Sequence, residues 1–195
     1  MILSIRPVWI IGDLEILHEW MNAASRKSNW IIDPKKTSLF RHYKQILIAG
    51  DAQSLIIEQN RIPIIQFDIL PFPLKNWLHG VKYSADDYYL NFLFKESFRD
   101  PHLFAHGLRL LIDYMLAISD IRFIYTSLLQ PDKYIEGQLT TIGSEFTGFL
   151  PFHIDHDPLY RLNLRNSDVS RDWDELFPEG PLNRIPDKHP RCQVN

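Results

Sequence analysis

Between residues 87 and 128 two strand-forming runs flank one long helical segment, and this arrangement restricts the fold more than any other feature of the sequence. Asp87–Phe94 (DYYLNFLF) and Ile121–Leu128 are rich in β-branched and aromatic residues. Between them Asp100-Pro101 opens a helix that runs to about Ser119, with Asp as a favourable cap and Pro tolerated in the first turn. Strands joined through a helix are not a hairpin; the crossover lays them parallel. A second feature demands the opposite pairing. Ala52–Gln59 and Pro63–Phe72 are joined at Asn60-Arg61, which predicts an antiparallel hairpin. A chain holding both must build a mixed α/β sheet.

The other elements fill in around that sheet. Ile2–Val8 alternates as a strand, and Gly12-Asp13 starts a helix with Asp13 as its predicted N-cap. Leu14, Leu17, Trp20 and Met21 form that helix's apolar stripe, and the polar run Asn22–Asn29 ends it near Trp30. Asp33-Pro34 predicts a second helix reaching about Ala49, and Pro71, Pro73 and Gly80 mark a loop. Pro131-Asp132 predicts a short helix ending near Gly143, followed by a strand pair, Phe146–Ile154 and Leu159–Leu164. The expectation is one domain over residues 1–165, with six or seven mostly antiparallel strands and about four helices. Residues 166–195 carry Pro178, Pro181, Pro186 and Pro190 and read as a surface-wrapping or partly disordered tail.

Composition excludes several classes of function. With 21 Lys and Arg against 24 Asp and Glu, the formal charge is −3, which argues against a nucleic-acid partner. The one cysteine, Cys192, builds neither a disulfide framework nor a cysteine zinc site and fits a reducing cytoplasm. Leu108–Ile118 is the most apolar helical run, yet it contains Arg109 and Asp113 and is far short of the ~20 residues of a membrane span. Residues 1–11 lack the pattern of a signal peptide, so the expected location is cytoplasmic, with no membrane partner. His153, Asp155, His156 and Asp157 are metal-ligand types crowded into a Pro-flanked turn; a solvated turn is the expected reading, and no metal is expected.

The element order is that of the GNAT (N-acetyltransferase) superfamily, and three segments sharpen the likeness. Residues 13–22 (DLEILHEWMN), followed by Trp30, resemble the opening D-L-x-L-L-H-x-W-M-N of the siderophore-biosynthesis N-acyltransferases, which acylate hydroxylysine-type side chains. The hairpin IIEQNRIPIIQFDI looks like that family's strand-turn-strand, and Pro131-Asp132 with Gly148-Phe149 is similar to its P-D-x-x-N … G-F segment. The resemblance spans about residues 1–165. It implies acetyl-CoA or another acyl-CoA as co-substrate, a small-molecule amine or hydroxylamine acceptor, and a possible homodimer.

The resemblance also implies where an acyl-CoA would lie. Its pantetheine arm would pair with the backbone of Phe92, Leu93 and Phe94, and its diphosphate would meet the segment Arg99, His102, Leu103, Phe104, Ala105 and His106. That segment departs from the family's R-G-x-G-x-G/A loop, because its three glycines are Asp100, His102 and Phe104. Asp100 places a carboxylate at the helix start, and Pro101 removes a backbone donor. Two readings stay open. Either Arg99, His102, His106 and Arg109 replace the lost backbone donors, or the anion site has decayed. For chemistry, the resemblance places a catalytic Asp at Asp132, whose other reading is a helix cap, while Tyr89 and Asn91 stand where substrate is oriented. The family's strand histidine is missing, its helix asparagine is Ile135, and the acid tyrosine counted back from Gly148 is Ser144. Two functions are therefore weighed: an acyl-CoA-dependent N-acyltransferase, and a GNAT-fold protein without catalysis that serves as a binding or assembly subunit.

Overall fold

The computed structural model describes residues 2–23, 27–28, 33–71, 86–94, 101–118, 120–128, 132–149 and 157–164, with 27, 28, 101 and 102 described as backbone only. Among these residues eight strands form one sheet: β1 (Leu3–Pro7), β2 (Lys27–Ser28), β3 (Gln53–Gln59), β4 (Ile62–Pro71), β5 (Asp87–Phe94), β6 (Phe123–Ser127), β7 (Glu145–Phe149) and β8 (Pro158–Asn163). Four helices accompany them among the described residues: α1 (Ile10–Asn22), α2 (Lys36–Ala49), α3 (Pro101–Ile118) and α4 (Lys133–Thr141). The sheet order is β1-β3-β4-β5-β6-β8-β7, with the two-residue β2 paired to β5 off that path. Every pairing is antiparallel except β5 with β6, the pair that α3 connects. The predicted mixed, mostly antiparallel sheet with four helices is the fold observed.

The two faces of the sheet carry different cores. Ile65, Phe67 and Ile69 of β4 and Leu90, Phe92 and Phe94 of β5 pack with α3, chiefly against Leu103, Phe104, Leu108 and Leu111. Phe104 sits at 5.3 Å from Phe92, 6.0 Å from Phe94 and 6.2 Å from Phe67, ring centroid to centroid. Gly107 lets the helix approach closely, since a Cβ there would lie 2.8 Å from Ile65 Cδ1. On the other face, Leu17, Trp20 and Met21 of α1 and Leu39 and Tyr43 of α2 enclose Leu93. Side chains of a strand alternate between faces, so Gln66, Asp68, Tyr89 and Asn91 belong to this second face.

Local chemistry corrects several boundaries. Asp13 is not the cap of α1; the helix begins at Ile10 after Trp9. The Asp13 carboxylate instead accepts the Trp9 backbone N–H at 2.7 Å and a two-pronged pair of bonds from Arg6 at 2.7 and 2.8 Å. It ties β1 to α1. The first helix ends at Asn22, before the predicted Trp30, and Lys27–Ser28 then form a strand that the sequence did not announce. Asn22 donates to the carbonyls of His18 and Pro34, joining the end of α1 to the approach to α2. The second helix starts at Lys36, and Asp33 accepts from Lys35 N and Ser38 Oγ ahead of it. The hairpin turn is as predicted, with Asn60 and Arg61 both left-handed at φ 51° and 68°. Gly80, residues 150–156 and the tail from residue 165 lie outside the described residues.

Candidate functional site

The sheet divides in its middle. β5 and β6 run parallel through Asp87↔Phe123, Tyr88↔Ile124 and Tyr89↔Tyr125, and there their pairing ends. On its far side β5 stays paired with β4 as far as Phe94. Beyond Tyr89, β6 is replaced by β2, which pairs with β5 at Leu93 and Phe94. Those residues already face β4, so β2 occupies the β6 side. The segment Leu90–Phe92 lies between the two partners, and Thr126 of β6 donates its hydroxyl to the Leu90 carbonyl at 3.0 Å. Backbone groups of alternate strand residues point the same way, so the Phe92 amide groups share Leu90's direction, towards the division. Of the predicted pantetheine edge, Phe92 lies at the division, while Leu93 and Phe94 are spanned by β2.

The predicted anion-binding residues separate into groups. Arg99 lies outside the described residues, and His102 is known only as backbone in the first turn of α3. Leu103, Phe104 and Ala105 are buried, so only their backbone can face a ligand. Pro101 begins α3, and the N–H groups of the following first-turn residues have no acceptor within a helix. His106 is partly buried one turn on, and Arg109 donates from Nε to both oxygens of Asp113 at 3.0 Å.

The predicted catalytic residues each have local partners. Asp132 caps α4, accepting from Tyr134 N at 3.0 Å and Ile135 N at 3.4 Å. Tyr89 shares a 2.5 Å hydrogen bond with Ser127 across β5 and β6. Burial is the main cause that pushes its phenol up to about 12, which removes it as a base near neutrality. Asn91, half-buried, is registered opposite Asp68 of β4. Ser144 lies at the junction of α4 and β7, where its N–H closes the helix end on Leu139 O. The glycine that follows α4 is the left-handed Gly143, not Gly148. The same four-residue spacing counted from Gly143 falls on Leu139, which is buried in the core.

Sequence reasoning missed a polar network on the α1/α2 face. Asp68 is fully buried in β4, where His42 Nε2 of α2 lies 2.7 Å from its Oδ2 and Gln66 Nε2 donates to its Oδ1 at 2.6 Å. Gln66 also donates to Ser54 Oγ at 3.0 Å. The Tyr43 phenol, beside His42, is raised by burial first and by Asp68 and Asp13 second. The signal was present: Gln66 and Asp68 alternate inside the apolar run IIQFDIL. Their partner on α2 is 26 residues away from Asp68 in sequence, beyond the reach of any local pattern. Among the described residues no group of three or more His, Cys, Asp or Glu is placed to hold a metal. Asp157 is buried just before β8, whereas His153, Asp155 and His156 lie outside the described residues. Among the described residues no helix is long and apolar enough to cross a membrane.

No family model and no curated protein matches the sequence, but solved structures do match the fold. An uncharacterized protein of Bacillus halodurans superimposes with a TM-score of 0.72 at 14% identity, covering 89% of this chain and 91% of its own. An aminoglycoside acetyltransferase in complex with coenzyme A gives 0.71 at 15% identity, covering 87% and 99%. Mutant forms of the spermidine/spermine N-acetyltransferase of Vibrio cholerae give 0.67 at 14% identity, covering 87% and 98%. The chain has the GNAT fold. The GNAT likeness rests on the whole sheet and its helices at low identity, and it does not single out the siderophore acylases. In that GNAT frame β5 and β6 are the strands between which the division opens, and α3 is the helix that follows β5.

Proposed function

We propose that the protein is an acyl-CoA-dependent N-acyltransferase acting on a small amine. The observation that carries this reading is the division of the parallel β5–β6 pair after Tyr89, directly ahead of α3, within a GNAT fold. An extended pantetheine arm offers amide groups at strand-like spacing and would run into the division between β5 and β6. Its diphosphate would lie at the start of α3, near the backbone of His102 and Leu103, with Arg99 and the His102 ring as cations replacing the missing glycines. The co-substrate supplies a thioester carbonyl. The chain's part is to hold that carbonyl at the division and admit the amine from the α1/α2 face, with Asn91 orienting it. Solved GNAT neighbours include enzymes named for aminoglycosides and for spermidine, which supports an amine acceptor. The likeness of residues 13–22 to the siderophore acylases favours a hydroxylamine-bearing precursor within that class.

A second reading is favoured by Asp100-Pro101 and by the engagement of Arg109 with Asp113: a GNAT-fold protein with a decayed coenzyme A site that serves as a binding or assembly subunit. Thermal unfolding with and without coenzyme A separates the two. A ligand at a hundredfold excess over Kd stabilises by about 2.7 kcal/mol, a midpoint rise of about 5–10 °C for a chain of this size. The rise should disappear when Arg99 and His102 are both replaced by Ala. An unmoved midpoint with coenzyme A and with acetyl-CoA overturns the acyltransferase reading.

A further inference from the structure

We propose that His42 is the proton acceptor for the incoming amine and that Asp68 is its positioning residue; this rests on the acyltransferase reading above. An amine attacks a thioester only as the neutral base, so the chain must hold a group able to remove a proton near neutral pH. None of Asp132, Tyr89 and Asn91 meets that need: the first caps a helix, the second titrates near 12, and the third is an amide. His42 does meet it.

Three observations place it there. Asp68 is registered opposite Asn91, on the residue pair that lies beside the division of β5 from β6. The carboxylate therefore stands one strand from the acyl site and on the α1/α2 face. Opposite an ionised Asp68, which accepts only, the tautomer that uses the 2.7 Å contact carries its hydrogen on Nε2, and the lone pair of the neutral ring is then on Nδ1. The His42 side chain retains 22% exposure while Asp68 has none, so the ring communicates between the buried carboxylate and the surface.

The cost of the arrangement argues that it is built for more than packing. Gln66 is fully buried and spends its amide on Asp68 and Ser54, leaving its Oε1 without a hydrogen-bond donor. A buried polar network with an unsatisfied member is often no more stable than an apolar replacement. Among the described contacts around the ring, Asp68 comes from β4 and Tyr43 from α2 itself; from α1, Asp13 acts on Tyr43 and is held by Arg6. Ser54 is the polar side chain from β3 and carries no charge.

The step balances without a further reagent. An ammonium N–H bond breaks as Nδ1–H forms on His42, and the freed nitrogen lone pair attacks the thioester carbonyl. Collapse of the adduct breaks the C–S bond; the second nitrogen proton leaves on the thiolate as free coenzyme A. The imidazolium then returns its proton to water at its exposed edge.

The test measures acetyl transfer from acetyl-CoA to a panel of amines (spermidine, kanamycin, lysine, N6-hydroxylysine), with release of coenzyme A followed by a thiol reagent. His42→Gln should lower kcat/KM on the order of 100-fold for the best amine, with the coenzyme A-induced rise in unfolding midpoint unchanged. His42→Ala should recover activity on addition of imidazole, which a merely structural role would not allow. Asp68→Asn should lower kcat with the midpoint rise retained. Equal turnover in wild type and His42→Gln overturns this assignment alone. So does a loss in His42→Ala that imidazole does not restore. A wild-type chain that binds coenzyme A yet transfers to none of the amines overturns both this assignment and the acyltransferase reading.

Discussion

The side chain of Tyr89 shows how one position is set by its surroundings rather than by its type. Its hydroxyl is enclosed between β5 and β6 and held by Ser127, so burial disfavours the phenolate. The folded-state pKa near 12 lies above the ordinary value of 10. A group raised in this way contributes stability that is complete below pH 10 and is lost as pH rises towards 12. Tyr89→Phe should therefore reduce the alkaline loss of stability in that window by about 2 kcal/mol. It should also cost about 1 kcal/mol at pH 7, for the lost hydrogen bond. Urea unfolding of both proteins at pH 7, 10 and 11.5 checks both effects.

Among the elements, the β3–β4 hairpin and α3 each depend on a backbone position. Asn60 tolerates its left-handed conformation because its short polar side chain does. Arg61 at φ 68° has no such excuse. Arg61→Gly completes the Asn-Gly pair favoured in a two-residue hairpin and should stabilise the protein by about 1 kcal/mol. A thermal midpoint raised by about 2–4 °C is the expected reading, and a lowered midpoint would show that the Arg61 side chain contributes contacts that outweigh the strain. In α3 the demand is spatial: Gly107 is there because the helix lies against Ile65 and Ile57, not because a phosphate loop requires it.

For the whole molecule, the order of strands sets a gradient of stability. β4 is paired on both sides over most of its length and buried from Ile64 to Ile69. β7 lies at the sheet edge with Phe146 and Phe149 exposed and a register shift between Phe146 and Gly148. Native-state hydrogen exchange should find the amides of Ile64–Ile69 opening only with global unfolding, and those of Glu145–Phe149 opening far more readily. Equal protection in both strands would contradict this gradient. The division between β5 and β6 belongs to this scale as well, because it depends on where two strands stop pairing.

The sequence by itself determined the elements and the necessity of a mixed sheet. Period-two alternation, the Asn60-Arg61 turn and the Asp100-Pro101 opening are local, and local sterics and hydrogen bonding suffice to read them. It also determined that Asp132 has the makings of a cap, and the cap is what the structure displays. Tertiary structure alone decided what Asp13 does, because its partner Arg6 belongs to a different element. Tertiary structure alone decided that Lys27–Ser28 would pair with β5, since a two-residue strand has no periodicity of its own. It alone brought His42 to Asp68, two residues that look like a solvent-facing helix histidine and an interruption of an apolar strand until α2 packs over β4. Patterning fixes which face a side chain takes; only the packed chain decides which side chain from elsewhere it meets there.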